Sequence, residues 1–205
     1  MGDWLTDKVD VKKELKQLYN PSAKEVSIVD VPDMNFLVID GEGSPASQAY
    51  MDAVQTLFPL AYALKFIVKK AKGIDYGVLP LEGLWWMDDM TQFSVNRKDE
   101  WRWTAMIMQP KYVTQTDFET ALVQVKKKNL PAIGKVRFEC VHEGKAAQIM
   151  HIGPFAAEAA NIQKIHAAIK NSGHELSGKH HEIYLNNPAT TASEKLKTVL
   201  RQPMK

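Results

Sequence analysis

The sequence predicts an α+β chain in which one strand–helix–strand–strand module occurs twice, the copies related by a pseudo-twofold axis with a ligand cleft between them. Three observations carry this prediction. Several short runs alternate apolar and polar residues at the two-residue period of strands, while two longer runs repeat apolar residues at helical spacing. These runs follow the same order in each half of the chain. The junction "GSPA" (Gly43–Ala46) has a counterpart in "GPFA" (Gly153–Ala156), and the endings "MQP" and "RQP" also match, as expected of an internal structural repeat.

Residues 1–30 read as a short helix (Val11 to Tyr19), a turn and a lead-in strand, with the duplicated domain occupying 31–205. Repeat one covers about 34–110. Its first strand (Met34 to Asp40) enters a Gly/Ser/Pro junction where Ser44 suits an N-cap and Pro45 the first helical position. Tyr50, Val54, Leu57, Phe58, Ala61, Leu64 and Val68 then recur at helical spacing, and Pro59 is expected to kink this helix. Two strands follow, "YGVLPLEGLWW" and "WRWTAMIMQP", joined by the polar connection "DDMTQFSVNRKDE". Between the repeats, about 111–143, lie a helix (Thr116 to Asn129, with Phe118, Leu122 and Val125 in register) and a strand, "GKVRFECVHEG", expected to hairpin into the second copy. Repeat two covers about 145–205. Its helix carries Phe155, Ala159, Ile162, His166 and Ile169 as an apolar stripe and stops at Gly173. Its remaining strands are "KHHEIYLNNP" and one within "EKLKTVLRQPM".

Composition narrows the function. The 205 residues are 45% hydrophobic and 24% charged, which suits a folded domain with a sizeable core. A net charge of +2 is too small a field to argue for nucleic acid or an anionic membrane as partner, and the first thirty residues are too few for a helix-turn-helix module. The single cysteine, Cys140, shares alternation with Val136 and Phe138 and reads as a core thiol. The N-terminus lacks the apolar centre of a signal peptide, and Leu57 to Val68 is too short to span a bilayer. The expectation is a soluble cytoplasmic protein, with no direct nucleic-acid binding, no membrane partner and no cofactor. The histidines show no metal-binding spacing; His180 and His181 are adjacent on a strand and point oppositely.

The chemistry concentrates on one acid. In "HHEIYLN", His181, Ile183 and Leu185 share one strand face, and His180, Glu182, Tyr184 and Asn186 share the other. The Ile/Leu face is expected to sit on the helix, so that Glu182 points to the open cleft. On the matching strand of repeat one, Leu79, Leu81 and Trp85 lie together, while Pro80, Glu82, Leu84 and Trp86 lie opposite. Glu82 and Glu182 therefore suggest a two-carboxylate cleft walled by Trp86 and Tyr184. Which face of the Trp101–Trp103 strand lines it is left open by alternation.

The stretches "EGKAAQIMHIGPF", "HHEIYLNNP", "EKLKTVLRQP", "PLEGLWW" and "PKYVTQTDFETA" together resemble the stand-alone GyrI-like small-molecule-binding proteins, over nearly the whole chain. "GLWW" and "HHEIYL" look most like the cyclopropanoid cyclopropyl hydrolase group within them. The resemblance implies the tandem fold described above and a cleft for hydrophobic aromatic molecules. It also implies hydrolysis of the strained cyclopropane of cyclopropanoid DNA alkylators. Glu182 would be the general base, its pKa raised by aromatic walls, and Tyr112, Tyr184 or His180 would donate to the substrate carbonyl. Trp86, Trp101 and Trp103 would stack on a flat substrate, with Phe155 beside them, and Glu82 would bind a cationic group or hold the water. The same resemblance supports a non-catalytic alternative, a scavenger or sensor in which Glu182 pairs with a cationic aromatic ligand. A third is a gyrase-inhibitor-like interaction protein. The chain departs from the family's usual pattern at Phe155, which offers no hydroxyl, and at Asn187, where an acid is common.

Overall fold

The computed structural model describes residues 6–90 and 95–205. The chain opens with β1 (Asp7–Val9), two short helices α1 (Val11–Glu14) and α2 (Lys16–Tyr19), and β2 (Ser27–Val31). Module one is β3 (Met34–Glu42), α3 (Gln48–Lys72), β4 (Ile74–Tyr76), β5 (Leu81–Trp86) and β6 (Arg102–Gln109). Helix α4 (Gln115–Val125) and β7 (Arg137–Val141) lead to module two, which is β8 (Gly144–Ile152), α5 (Ala159–Asn171), β9 (His180–Tyr184) and β10 (Lys197–Pro203).

The duplication is plain in the eight-stranded sheet, whose order is β2-β8-β10-β9-β5-β6-β3-β7. Each module contributes three consecutive strands, and the modules join where β5 and β9 pair antiparallel. The edges are exchanged. β2 directly precedes β3 yet pairs with β8, and β7 directly precedes β8 yet pairs with β3. The expected hairpin of β7 into repeat two is thus corrected. Two short links, Pro32–Asp33 and His142–Glu143, each carry the chain across to the other module, and they touch one another through His142 and Asp33. As the outermost strand, β7 leaves Cys140 exposed rather than in the core.

Helix α3 begins one turn later than the sequence suggests. Ser47, not Ser44, accepts the Tyr50 amide and caps it, and the helix continues through Pro59 to Gly73, whose φ of +67° ends it in the left-handed conformation. By length and composition α3 suits a membrane span. Here it is the core helix of module one, with Ala53, Leu57, Leu60, Ala61, Leu64 and Val68 at 0–1% exposure. Helix α5 buries Ile165 and Ile169 in a smaller core with Ala147, Ile149 and Leu200. Of the helical stripe read from the sequence, Phe155 lies outside α5 in a 3-10 turn, 42% exposed.

Both long helices occupy the same sheet face. Trp103 pairs with Gly41 and Trp85 with Trp103, and the Tyr50 ring on α3 meets both indoles, with centroids 5.1 and 5.3 Å away. Leu200, beneath α5, is the cross-strand partner of Glu182. The opposite face is covered near its centre by α1 and α2, from which Tyr19 and the Leu18 carbonyl reach side chains of the sheet.

Candidate functional site

Register separates the two acids singled out above. Gly83 is the cross-strand partner of Glu182, and Glu82 that of Ile183. Partners across a strand pair share a face, so Glu182 and Glu82 point to opposite sides. The sequence reading placed the Ile183 face on the helix. In the structure α3 and α5 lie on the Glu182 face, and the Ile183 face meets the N-terminal helices. The proposed two-carboxylate cleft of Glu82 and Glu182 does not form.

Glu182 lies among aromatic side chains on the sheet face that carries α3 and α5, its side chain 15% exposed. The Tyr184 hydroxyl donates to its Oε2 at 2.8 Å, and the Trp85 indole N–H donates to that hydroxyl at 2.9 Å. His180 Nε2 stands 3.3 Å from Oε1. Burial, then the Glu182 charge, push the Tyr184 phenol well above its ordinary pKa, so it stays protonated and serves as a fixed donor to the carboxylate. Gly83 makes this arrangement possible. A Cβ there would fall 2.7 Å from Trp85 Nε1 and 3.1 Å from the Tyr184 hydroxyl. Trp101 meets Trp85 edge-on at 5.6 Å, and Phe155 meets Tyr184 edge-on at 5.8 Å from its exposed position at the rim. The open question about the Trp101–Trp103 strand is resolved: these two indoles face the Glu182 side, Trp103 beneath the Tyr50 ring.

Several predicted residues lie elsewhere. Trp86 is on the reverse face, where the Lys179 ammonium sits 3.3 Å over its ring. Tyr112 stacks edge-on against Tyr76 at 5.6 Å, and its carbonyl accepts from Lys72 at the C-terminal end of α3. Tyr50, beside Glu182, is near the other end of that 25-residue helix, a separation of roughly 33 Å at 1.5 Å per residue. Tyr112 is therefore not a donor at this site.

Glu82 belongs to a separate buried network. It accepts from the Tyr19 hydroxyl at 2.7 Å and pairs with His181 Nε2 at 2.9 Å. His181 Nδ1 pairs with Glu143 Oε1 at 2.9 Å, and Arg201 donates to Glu143 Oε2 at 3.0 Å and to the Leu18 carbonyl at 2.8 Å. Burial alone would lower the His181 pKa, but Glu143, and then Glu82, hold it up at about 9. Burial works the opposite way on Glu143, yet His181 and Arg201 bring it down to about 2. The charges are thus mutually satisfied, as buried ions require.

Sequence reading missed three groups on the Glu182 face. Tyr50 was seen only as a member of an apolar stripe, and Trp85 only as a core residue sharing a strand face with Leu79 and Leu81. Glu158 was not singled out. It follows the 3-10 turn Phe155–Ala157, is 5% exposed, and faces Glu182 and Thr198. Thr198 is the cross-strand partner of Tyr184. The lone acid of "GPFAAEAA" was the available signal, but its burial depends on where α5 docks.

With the geometry in place, comparisons with known proteins give a consistent answer. None of the curated proteins matches the chain. Among solved structures, an uncharacterized conserved protein from Listeria innocua is 35% identical, with a TM-score of 0.89 over 96% of this chain and 100% of its own. A hydrolase encoded by lin2189 of the same organism is 34% identical, with a TM-score of 0.87 over 97% and 100%. The EcmrR C-terminal domain, at 12% identity and a TM-score of 0.56 over 88% of this chain and 97% of its own, shares the fold. Residues 24–205 match the GyrI-like small molecule binding domain, and the chain belongs to that family.

Proposed function

We propose that the Glu182 cleft binds flat, hydrophobic aromatic molecules and hydrolyses the spiro-cyclopropane of cyclopropanoid DNA-alkylating compounds, a detoxifying activity. The observation that carries this reading is a carboxylate held by a phenol and an imidazole among indole rings, only 15% exposed. A carboxylate so placed is oriented and shielded from bulk water, which suits a general base. The 34% identity to a Listeria innocua protein named as a hydrolase adds support over nearly the full length of both chains.

In this reading water attacks the cyclopropane CH2 and gives its proton to Glu182. A C–O bond forms, the strained C–C bond breaks, and the electron pair moves to the dienone oxygen as the ring becomes a phenolate. Tyr184 is committed to Glu182 and acts as a positioning residue. Tyr50, whose phenol burial, and then Glu182, keep protonated, is a donor available to the developing oxyanion. Trp85 and Trp101 supply stacking surface.

Incubation with a cyclopropanoid alkylator, with ring-opened product followed by chromatography and mass detection, tests the reading. Multiple turnovers are expected, falling about 100- to 10,000-fold in Glu182→Gln, the range for general-base catalysis. Stoichiometric binding without product would instead establish the alternative, a scavenger in which Glu182 pairs with cationic aromatic ligands.

A further inference from the structure

Glu158 is the buried acid that this account has not yet used. Its backbone is fixed at the entrance to α5. Its amide donates to the Phe155 carbonyl at 3.2 Å, and its own carbonyl accepts from Asn161 and Ile162 at 2.9 and 3.0 Å. The side chain is directed inward, 5% exposed, into the space shared with Glu182. Two polar atoms there are buried without a hydrogen-bond partner, Glu158 Oε1 and the Thr198 hydroxyl. The Thr198 hydroxyl is close enough to Glu158 to oppose part of the rise in its pKa. Unsatisfied buried polar atoms are uncommon in folded proteins and need an explanation. Two of them converging beside a carboxylate point to a ligand oxygen as the missing partner.

The surroundings also favour the protonated form of Glu158. Burial, and then the negative charge of Glu182, raise its pKa to about 9; the Thr198 hydroxyl and the more distant Lys98 oppose this only in part. The site therefore holds one acid that accepts a hydrogen bond from Tyr184 and a second, Glu158, that keeps its own proton. A protonated carboxyl beside a hydrogen-bonded carboxylate-type acceptor offers a proton donor and a proton acceptor in one site.

We propose that Glu158 is the general acid of the site. It donates its proton to the substrate oxygen on which charge develops while Glu182 takes one from the attacking water. The proposal rests on the hydrolase reading. Per turnover the water O–H breaks toward Glu182, the C–O bond forms, the cyclopropane C–C bond breaks, and its electron pair moves to the dienone oxygen, which takes the Glu158 proton. Glu182 is left protonated and Glu158 ionised. Transfer of one proton from Glu182 back to Glu158, directly or through solvent, restores the starting state with no other reactant.

The test combines pH–rate profiles with thermal melting for the wild type, Glu158→Gln, Glu158→Asp and Glu182→Gln, using a spirocyclopropyl dienone as substrate. Glu158→Gln is expected to lower kcat/KM about 100-fold and to abolish the alkaline fall in rate seen in the wild type. Glu158→Asp, which keeps the acid, should retain that limb and part of the rate. Melting is an independent readout of the proton. A carboxyl whose folded pKa is raised contributes stability that is full below its unfolded pKa and lost as pH rises through the folded value. Glu158→Gln should therefore gain stability over the wild type progressively from about pH 4.5 to about pH 9. A Glu158→Gln enzyme with the wild-type rate and alkaline limb would overturn the role while leaving the hydrolase reading intact. A stability difference independent of pH would overturn the proton assignment. Absence of turnover by the wild type would overturn the hydrolase reading and the general-acid role together.

Discussion

Glu82 and Glu182 sit on neighbouring strands of one sheet, each one step in register from the other, and the sheet turns them into different kinds of group. On the reverse face Glu82 joins His181, Glu143, Arg201 and Tyr19 in a network where both of its carboxylate oxygens are taken by protein donors. On the helix face Glu182 is held by one phenol and one imidazole, with Glu158 Oε1 and the Thr198 hydroxyl beside it still unpaired. The first arrangement pairs its groups within the protein and acts as a clasp between the sheet and the N-terminal helices. The second keeps hydrogen-bonding capacity in an aromatic enclosure, which is what a binding or catalytic site needs. Burial alone does not distinguish the two faces, since Glu82, Glu158 and His181 are all buried.

The difference can be broken from the clasp side first. Glu143→Gln removes a carboxylate that holds both His181 and Arg201, leaving their charges underpaired. The expected loss is about 3–5 kcal/mol of folding stability, read as a lower denaturant midpoint. Turnover per folded molecule should be unchanged. A loss of turnover without a loss of stability would mean that the two faces are coupled.

The same clasp predicts a pH dependence. The His181 pKa is raised to about 9 in the fold from an unperturbed value of about 6.5. Its contribution is therefore complete below about pH 6.5 and lost as pH rises through 9. Glu143, lowered to about 2, contributes above about pH 4.5 and loses that contribution as pH falls through 2. Denaturation midpoints measured across pH in Glu158→Gln should show a plateau between these limits, on which the wild type superimposes the steady decline due to Glu158. Because Glu158 also weakens the fold on the alkaline side, the His181 share is the alkaline fall that persists in Glu158→Gln.

A smaller change sharpens the helix-face side of the comparison. Gly83→Ala places a methyl group against Trp85 Nε1 and the Tyr184 hydroxyl. One of these must move, at an expected cost of about 1–3 kcal/mol for overpacking. The Trp85–Tyr184–Glu182 chain should be disturbed with it, so activity is expected to fall more than stability. Equal losses in both would argue that Gly83 serves packing alone.

Much of this was legible before the structure. The repeat, the helices and the strands followed from periodicity and matching junctions, and alternation along β9 put Glu182 and Tyr184 on one face without any tertiary information. Alternation cannot say which of the two faces a helix will cover. That ambiguity sent Glu82 and Trp86 to the wrong side and hid Trp85. Tyr112 was misplaced for a related reason: nothing in a linear pattern reports that it lies beyond the far end of α3.

By itself, the sequence determined the duplicated α+β architecture, the family, and a strand on which Glu182 and Tyr184 share a face. Those features are local, set by side-chain periods of two and 3.6 and by capping and turn residues. The tertiary structure decided the rest. It set the exchange of β2 and β7 between modules, the placement of both long helices on the Glu182 face, the closure of the other face by Tyr19 and Leu18, and the burial of Glu158 against Glu182. These depend on strand register and on helix docking, which bring together residues far apart in the chain. Only in that packed environment do charge, desolvation and unmet hydrogen bonds make one glutamate a clasp, another a candidate base, and a third its candidate acid.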